Sequence, residues 1–197
     1  MPASAPDRRL RVLTTLLFTD IARSTEHAAA LGDDRWLDLL NAHDDLAREE
    51  IARHGGNLIK LLGDGVLATF GAPSLALGAA AAITSRAASE LGLGVRAGVH
   101  SGECDLVTGD VRGLAVHIGA RVAALAAPGE VLTTATVADL VIGARHALTD
   151  RGEQALDGVP GQWRLRALEP TGSGASGGGS VRECRPVLAS TRRSPSR

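Results

Sequence analysis

Residues 58–70, Leu58-Ile59-Lys60-Leu61-Leu62-Gly63-Asp64-Gly65-Val66-Leu67-Ala68-Thr69-Phe70, read as two short strands folded back across a Gly-Asp-Gly turn. An acidic-glycine pair between apolar runs is a strong hairpin signal, and Leu, Ile, Val, Thr and Phe occur here at strand density. Asp64 sits at the tip. Side chains alternate faces, so Leu58, Lys60 and Leu62 share one face and Ile59 and Leu61 the other; apolar residues on both faces predict burial. A buried ammonium needs a partner. Lys60 is also the only lysine among the 21 basic residues of the chain. A compact amine required to donate to a ligand is one reason to keep a lysine where arginine is otherwise used; chance is another.

Outward from this hairpin, Val12 to Phe18 forms an apolar strand that runs into Thr19-Asp20-Ile21-Ala22-Arg23-Ser24-Thr25, placing Asp20 at a strand exit. Ser24 or Thr25 is expected to cap a helix that continues through Trp36, Leu40, Leu46 and Ile51 and stops at Gly55-Gly56. After the hairpin, Pro73 opens an Ala-rich helix to about Leu91. Val95–His100 and Glu103–Val107 read as two strands, the second ending before Gly109-Asp110. The order β-α-β-β-α-β predicts an α+β fold with a ferredoxin-like core, an antiparallel sheet backed by helices. Additional C-terminal elements follow: a helix from Leu114 to Ala126, a strand at Val131–Thr133, a short helix from Thr136 to Ile142, and strands near 147–156 and 162–168.

The expected organisation is an N-terminal extension over 1–11, one domain over 12–170, and a linker with a disordered basic tail over 171–197. The ten residues from Thr171 to Ser180 are Gly/Ser-rich, and the rest hold five arginines against one glutamate. With 197 residues, 44% of them hydrophobic, one core suffices. A net charge of −1 offers no basic field for nucleic acid. An RNA-binding sheet of the same strand order would stack bases on aromatics, and this chain has two Phe, two Trp and no Tyr. Cys104 and Cys184 have neither metal-ligand nor disulfide-framework spacing, and no apolar run approaches the ~20 residues of a membrane span. The expectation is a soluble cytoplasmic chain with no membrane or nucleic-acid partner.

Taken singly, Asp20, Asp64 and Asp110 read as turn or loop formers, and His117 and Arg121, four apart, as the wet face of a helix. Together they match a pattern. Leu17-Phe18-Thr19-Asp20-Ile21 with Ser24-Thr25, Lys60-Leu61-Leu62-Gly63-Asp64-Gly65, Val95–Gly102 and Val116-His117-Ile118-Gly119-Ala120-Arg121-Val122 resemble, in order and spacing, the class III adenylate/guanylate cyclase catalytic domain, especially its compact actinobacterial-type members. The resemblance covers residues 12 to 168.

The resemblance implies that Asp20 and Asp64, helped by the Ile21 carbonyl, bind two divalent cations, Mg²⁺ or Mn²⁺. It implies that Lys60 and Asp110 read the base, that His117 orients the ribose, and that Arg121 stabilises charge on the phosphate. It further implies a homodimer whose subunits share each site. An ammonium donor with a carboxylate acceptor complements adenine and mismatches guanine, so ATP is the expected substrate. Two positions depart from the family. His117 stands where the best-known members carry asparagine, and Asp157 falls where many place a lysine on the triphosphate. A carboxylate facing a polyanion is repulsive unless a metal or an arginine intervenes. The expected reaction is conversion of ATP to cyclic AMP and pyrophosphate; the alternative is a weak or inactive nucleotide-binding regulatory module.

Overall fold

The computed structural model describes residues 10–107 and 109–170. The basic tail, Cys184 and most of the N-terminal extension lie outside the described residues. Strand β1 (Leu10–Ile21) leads to helices α1 (Ser24–Leu31) and α2 (Asp33–Arg53), the hairpin β2 (Asn57–Leu61) and β3 (Val66–Phe70), helix α3 (Pro73–Arg86), and strand β4 (Val95–Val107). Their order in the sheet is β2-β3-β1-β4, with every neighbouring pair antiparallel. This is the expected βαββαβ core. The added elements are β5 (Asp110–Arg112), α4 (Leu114–Leu125), β6 (Val131–Thr134), α5 (Ala135–Leu140), β7 (Leu148–Ala155) and β8 (Gln162–Leu168). Strand β6 extends the sheet parallel to β4, β8 and β7 follow, and β5 folds back on β4.

Alternation along β1 decides what each face of the sheet buries. Leu17 and Ile21 join Val66, Ala68, Phe70, Leu77 and Ile83 in the core beneath α2 and α3. Leu16 and Phe18 point the other way, with Leu67, Ala115 and Ala123, beneath α4. Helix α4 comes close enough to exclude side chains from the sheet: a Cβ on Gly98 would lie 2.3 Å from the Ala123 backbone nitrogen.

Four sequence expectations are corrected. The single helix after Asp20 is two, because Gly32 takes φ 77° and ψ 163° between them. Neither Ser24 nor Thr25 caps α1: the cap position is Arg23, in the left-handed region at φ 58°, with no side-chain cap. The helix after Pro73 is α-helical only to Arg86 and finishes in a π turn, Ala87–Leu91. The two strands expected between 95 and 107 are one, because Gly102 is used for close approach to Ala115, 2.7 Å from a built Cβ, and does not turn the chain.

Candidate active site

The Gly-Asp-Gly turn puts Asp64 beside Asp20, and each glycine has its own reason. Gly63 has φ +97°, a conformation side chains disfavour. Gly65 lies so close to β1 that a Cβ would stand 1.9 Å from the Thr19 carbonyl oxygen. With no side chain in the way, the Ile21 N–H donates to the Asp64 carbonyl at 2.8 Å, and the Val66 N–H donates to Thr19 Oγ1 at 3.2 Å. Ser24 Oγ donates to Asp64 Oδ2 at 2.6 Å, so this hydroxyl orients the carboxylate and does not cap the helix. Arg23, the only described non-glycine residue with positive φ, makes the sharp turn that allows it.

Asp20 and Asp64 are both half-buried. Burial, and then the nearby Asp64 carboxylate, push the Asp20 carboxyl above its ordinary range, and the Arg96 guanidinium opposes that shift. Arg96, the cross-strand partner of Asp20, donates to Oδ2 through Nε at 2.6 Å and lies 2.5 Å away through Nη2; its Nη1 donates to the Ala124 carbonyl at 3.1 Å. The Asp64 carboxylate lies close enough to raise the proton affinity of Asp20, and such a pair fits a divalent cation. Among the described residues no cluster of three or more His, Cys, Asp or Glu is placed to hold a metal.

Lys60 and Asp110, fifty residues apart, form a second group: Nζ donates to Asp110 Oδ1 at 2.8 Å. The lysine is not buried, as alternation predicted; its side chain is 45% exposed. Strand β2 is the sheet edge, and its pairing with β3 shifts between Leu58 and Lys60, so simple alternation fails there. Asp110 also accepts from the Val111 N–H at 2.9 Å, and the Lys60 ammonium first, then that N–H, hold its carboxyl below the usual range.

His117 and Arg121 form the third group, on the exposed side of α4, whose other side buries Ile118, Gly119 and Val122. Arg121 Nε donates to the Asp157 carbonyl at 3.1 Å, and Nη2 lies 3.6 Å from Asp157 Oδ2. An arginine thus stands beside the carboxylate that the family resemblance set against the triphosphate. Among the described residues no hydrogen bond or ion pair joins the three groups within one chain. Arg96 was missed by sequence reasoning; its signal is a cation sharing the face of Gly98 and His100 in the strand beside Asp20.

A carboxylate pair at a strand exit and hairpin tip, a Lys–Asp pair and a helix-borne arginine are thus three charged groups that this sheet and its helices present. The profile of the Adenylate and Guanylate cyclase catalytic domain family matches residues 12–168, and the chain belongs to that family. Among relatives, the Mycobacterium tuberculosis protein Rv2212 is 31% identical over 125 residues, which is 63% of this chain; the match spans 33% of the relative's own length. Among solved structures, the adenylyl cyclase CyaB from P. aeruginosa superposes with a TM-score of 0.78 at 20% identity, over 84% of this chain and 98% of that one. The Adenylate/Guanylate Cyclase/Hydrolase from Silicibacter pomeroyi gives 0.71 at 26% identity, over 83% and 99%. No described helix is long and apolar enough to cross a membrane.

Proposed function

We propose that this domain is a homodimeric adenylate cyclase that converts ATP to 3′,5′-cyclic AMP and pyrophosphate in cyclic-nucleotide signalling. The observation that carries the choice of ATP is the 2.8 Å contact between Lys60 and Asp110. These residues hold a cationic donor and an anionic acceptor side by side, the arrangement that adenine's ring nitrogen and exocyclic amine complete. Guanine presents the opposite pattern, and a mismatched site leaves polar groups unpaired.

In the reaction the ribose 3′-oxygen bonds to the α-phosphorus, the bond from that phosphorus to the bridging oxygen breaks, pyrophosphate leaves, and the hydroxyl proton passes to solvent. Asp20 and Asp64, with the Ile21 carbonyl, would hold the two divalent cations. When bound, these supply charge neutralisation at the phosphates and a lower pKa for the attacking hydroxyl. Arg121 would face the charge developing on the α-phosphate, where an always-protonated multi-donor head is suited to the task. His117 would donate one hydrogen bond to the ribose. Completion of the site by a second copy is supported by the separation of the three groups in one chain. It is supported too by the exposed Leu61, Leu62, Leu106 and Leu114, which flank Lys60, Asp110 and the start of α4.

A second reading, a regulatory module that binds nucleotide with little turnover, is favoured by one observation, the Asp157 carboxylate beside Arg121. One assay separates the readings: the purified chain with ATP or GTP and Mg²⁺ or Mn²⁺, scored for cyclic nucleotide. Cyclic AMP formed in excess of cyclic GMP is expected. Nucleotide binding without product would support the regulatory reading, and a preference for GTP would overturn the base assignment.

A further inference from the structure

Asp157 lies in the turn between β7 and β8, which is bolted to the underside of α4. Leu156 and Val159 are buried in one cluster with Ile118 and Val122, and the turn is closed by the Val159 N–H donating to the Leu156 carbonyl at 2.9 Å. Between these two anchors the chain carries Asp157 outward, its side chain 92% exposed, to the Arg121 guanidinium. The two contacts differ in kind. The Nε–H meets the Asp157 backbone carbonyl at 3.1 Å, a bond that any residue at 157 would preserve. The 3.6 Å approach of Nη2 to the carboxylate is specific to this side chain, and it engages the edge of the guanidinium on which a second anion would dock.

We propose that Asp157 is a positioning residue that gates Arg121: its carboxylate holds the guanidinium in the nucleotide-free protein and competes with the substrate's phosphates for it. The proposal rests on the cyclase reading and goes beyond it, because it assigns a role to a residue whose charge opposes the substrate. The carbonyl keeps the arginine aimed across the turn. The carboxylate sets how much phosphate charge is needed to draw it away. An exposed pair of this length is weak enough to exchange partners readily, which a gate requires and a structural strut does not.

The test is a binding cycle on the full chain with a 2′,3′-dideoxy analogue of ATP and Mn²⁺, titrated by calorimetry; lacking the 3′-hydroxyl, the analogue binds without turnover. Asp157→Asn keeps the carbonyl and removes the competitor, so binding should tighten about two- to fivefold, the range an exposed ion pair commands. Asp157→Glu should restore parental affinity. The gain should shrink as salt is raised, and adenosine, which has no phosphate, should bind parent and variant alike. In an Arg121→Ala background, or Arg121→Gln if the alanine variant does not fold, Asp157→Asn should change nothing. An equal gain in that background would mean that Asp157 repels phosphate directly and would overturn the gating role. Unaltered affinity in the single variant would overturn it as well. If the parent binds no nucleotide up to millimolar concentration, the cyclase reading itself fails and the gate falls with it.

Discussion

Arg96 covers Asp20. The two are cross-strand partners on β4 and β1, joined through Nε at 2.6 Å and Nη2 at 2.5 Å, so an arginine of the same chain sits on one of the two carboxylates proposed to hold metal. A divalent cation bound there would share Asp20 with that guanidinium or displace it.

Arg96→Gln should therefore tighten Mn²⁺ binding at pH 8 by about three- to tenfold, the effect of removing one competing charge at a partly solvated site. Without Arg96, burial and Asp64 raise the Asp20 carboxyl unopposed. A raised carboxylate takes up its proton at higher pH, so the gain should fade as pH drops toward 5. Calorimetric Mn²⁺ titrations of parent and variant at both pH values check this; weaker binding by the variant at pH 8 would sink it.

Much of the core was legible because Gly55-Gly56, the Gly-Asp-Gly turn and Pro73 punctuate the apolar runs from which the βαββαβ order is read. Strand β1 reads only as apolar, since it is apolar on both faces: Leu16 and Phe18 face α4, and Leu17 and Ile21 face α2 and α3. Local pattern failed where a feature depended on distant partners. Lys60 looked buried because nothing local reveals that β2 is an edge strand with a register shift. Gly102 looked like a break because its reason, the approach of Ala115, lies on another element. The Asp157–Arg121 contact joins residues 36 apart in sequence, and the family resemblance left only the charge conflict visible.

The hairpin tip should be far more sensitive at Gly65 than at its neighbour. Gly65→Ala drives a Cβ to 1.9 Å from the Thr19 carbonyl, so the tip must leave β1 and carry Asp64 away from Asp20. A loss of about 2–4 kcal/mol is expected from overpacking against backbone, with cyclase activity abolished. Gly63→Ala meets no atom within 4 Å and bears only the strain of φ +97°, about 1–2 kcal/mol. Urea denaturation of both variants decides it, and equal losses would mean that the close approach is not what requires Gly65.

Base choice should follow the Lys60–Asp110 pair. Lys60→Glu places two carboxylates where one ion pair stood at 2.8 Å, removes the donor to adenine, and should lower the ATP-to-GTP ratio of kcat/KM by about tenfold or more. Initial rates with both nucleotides provide the measurement; an unchanged ratio would remove the base-reading role.

Sharing of the site between subunits predicts complementation. Asp64→Ala and Arg121→Ala should each be inactive, while the Ile21–Asp64 backbone bond at 2.8 Å persists in the first and keeps the tip in place. Mixed after subunit exchange, half the dimers pair one variant with the other and each holds one intact site of two, so about one quarter of parental activity should return. Silence despite proven exchange would argue that each chain builds its own site.

The acid limb of stability should trace to His100. This imidazole is buried beneath α4, its Nδ1 shares a 2.9 Å hydrogen bond with Thr134 Oγ1, and its ring lies edge-on to Trp163 at 5.8 Å. Burial without a compensating anion lowers its pKa to about 4. In the unfolded chain the same group titrates near ~6.5, so between these values the unfolded state binds the extra proton and the folded state does not. His100 therefore leaves stability intact above pH ~6.5 and withdraws it progressively as pH falls toward 4, by an amount on the order of 2–3 kcal/mol. His100→Asn keeps a short polar group near Thr134 and cannot take up the proton. It should lower stability by a roughly constant amount through lost packing, while flattening the slope of unfolding free energy against pH across that window. The slope carries the diagnosis, since packing alone would shift the curve without tilting it. Urea unfolding at half-unit steps from pH 4 to 7 measures both, and parallel curves for parent and variant would place the acid sensitivity in other groups.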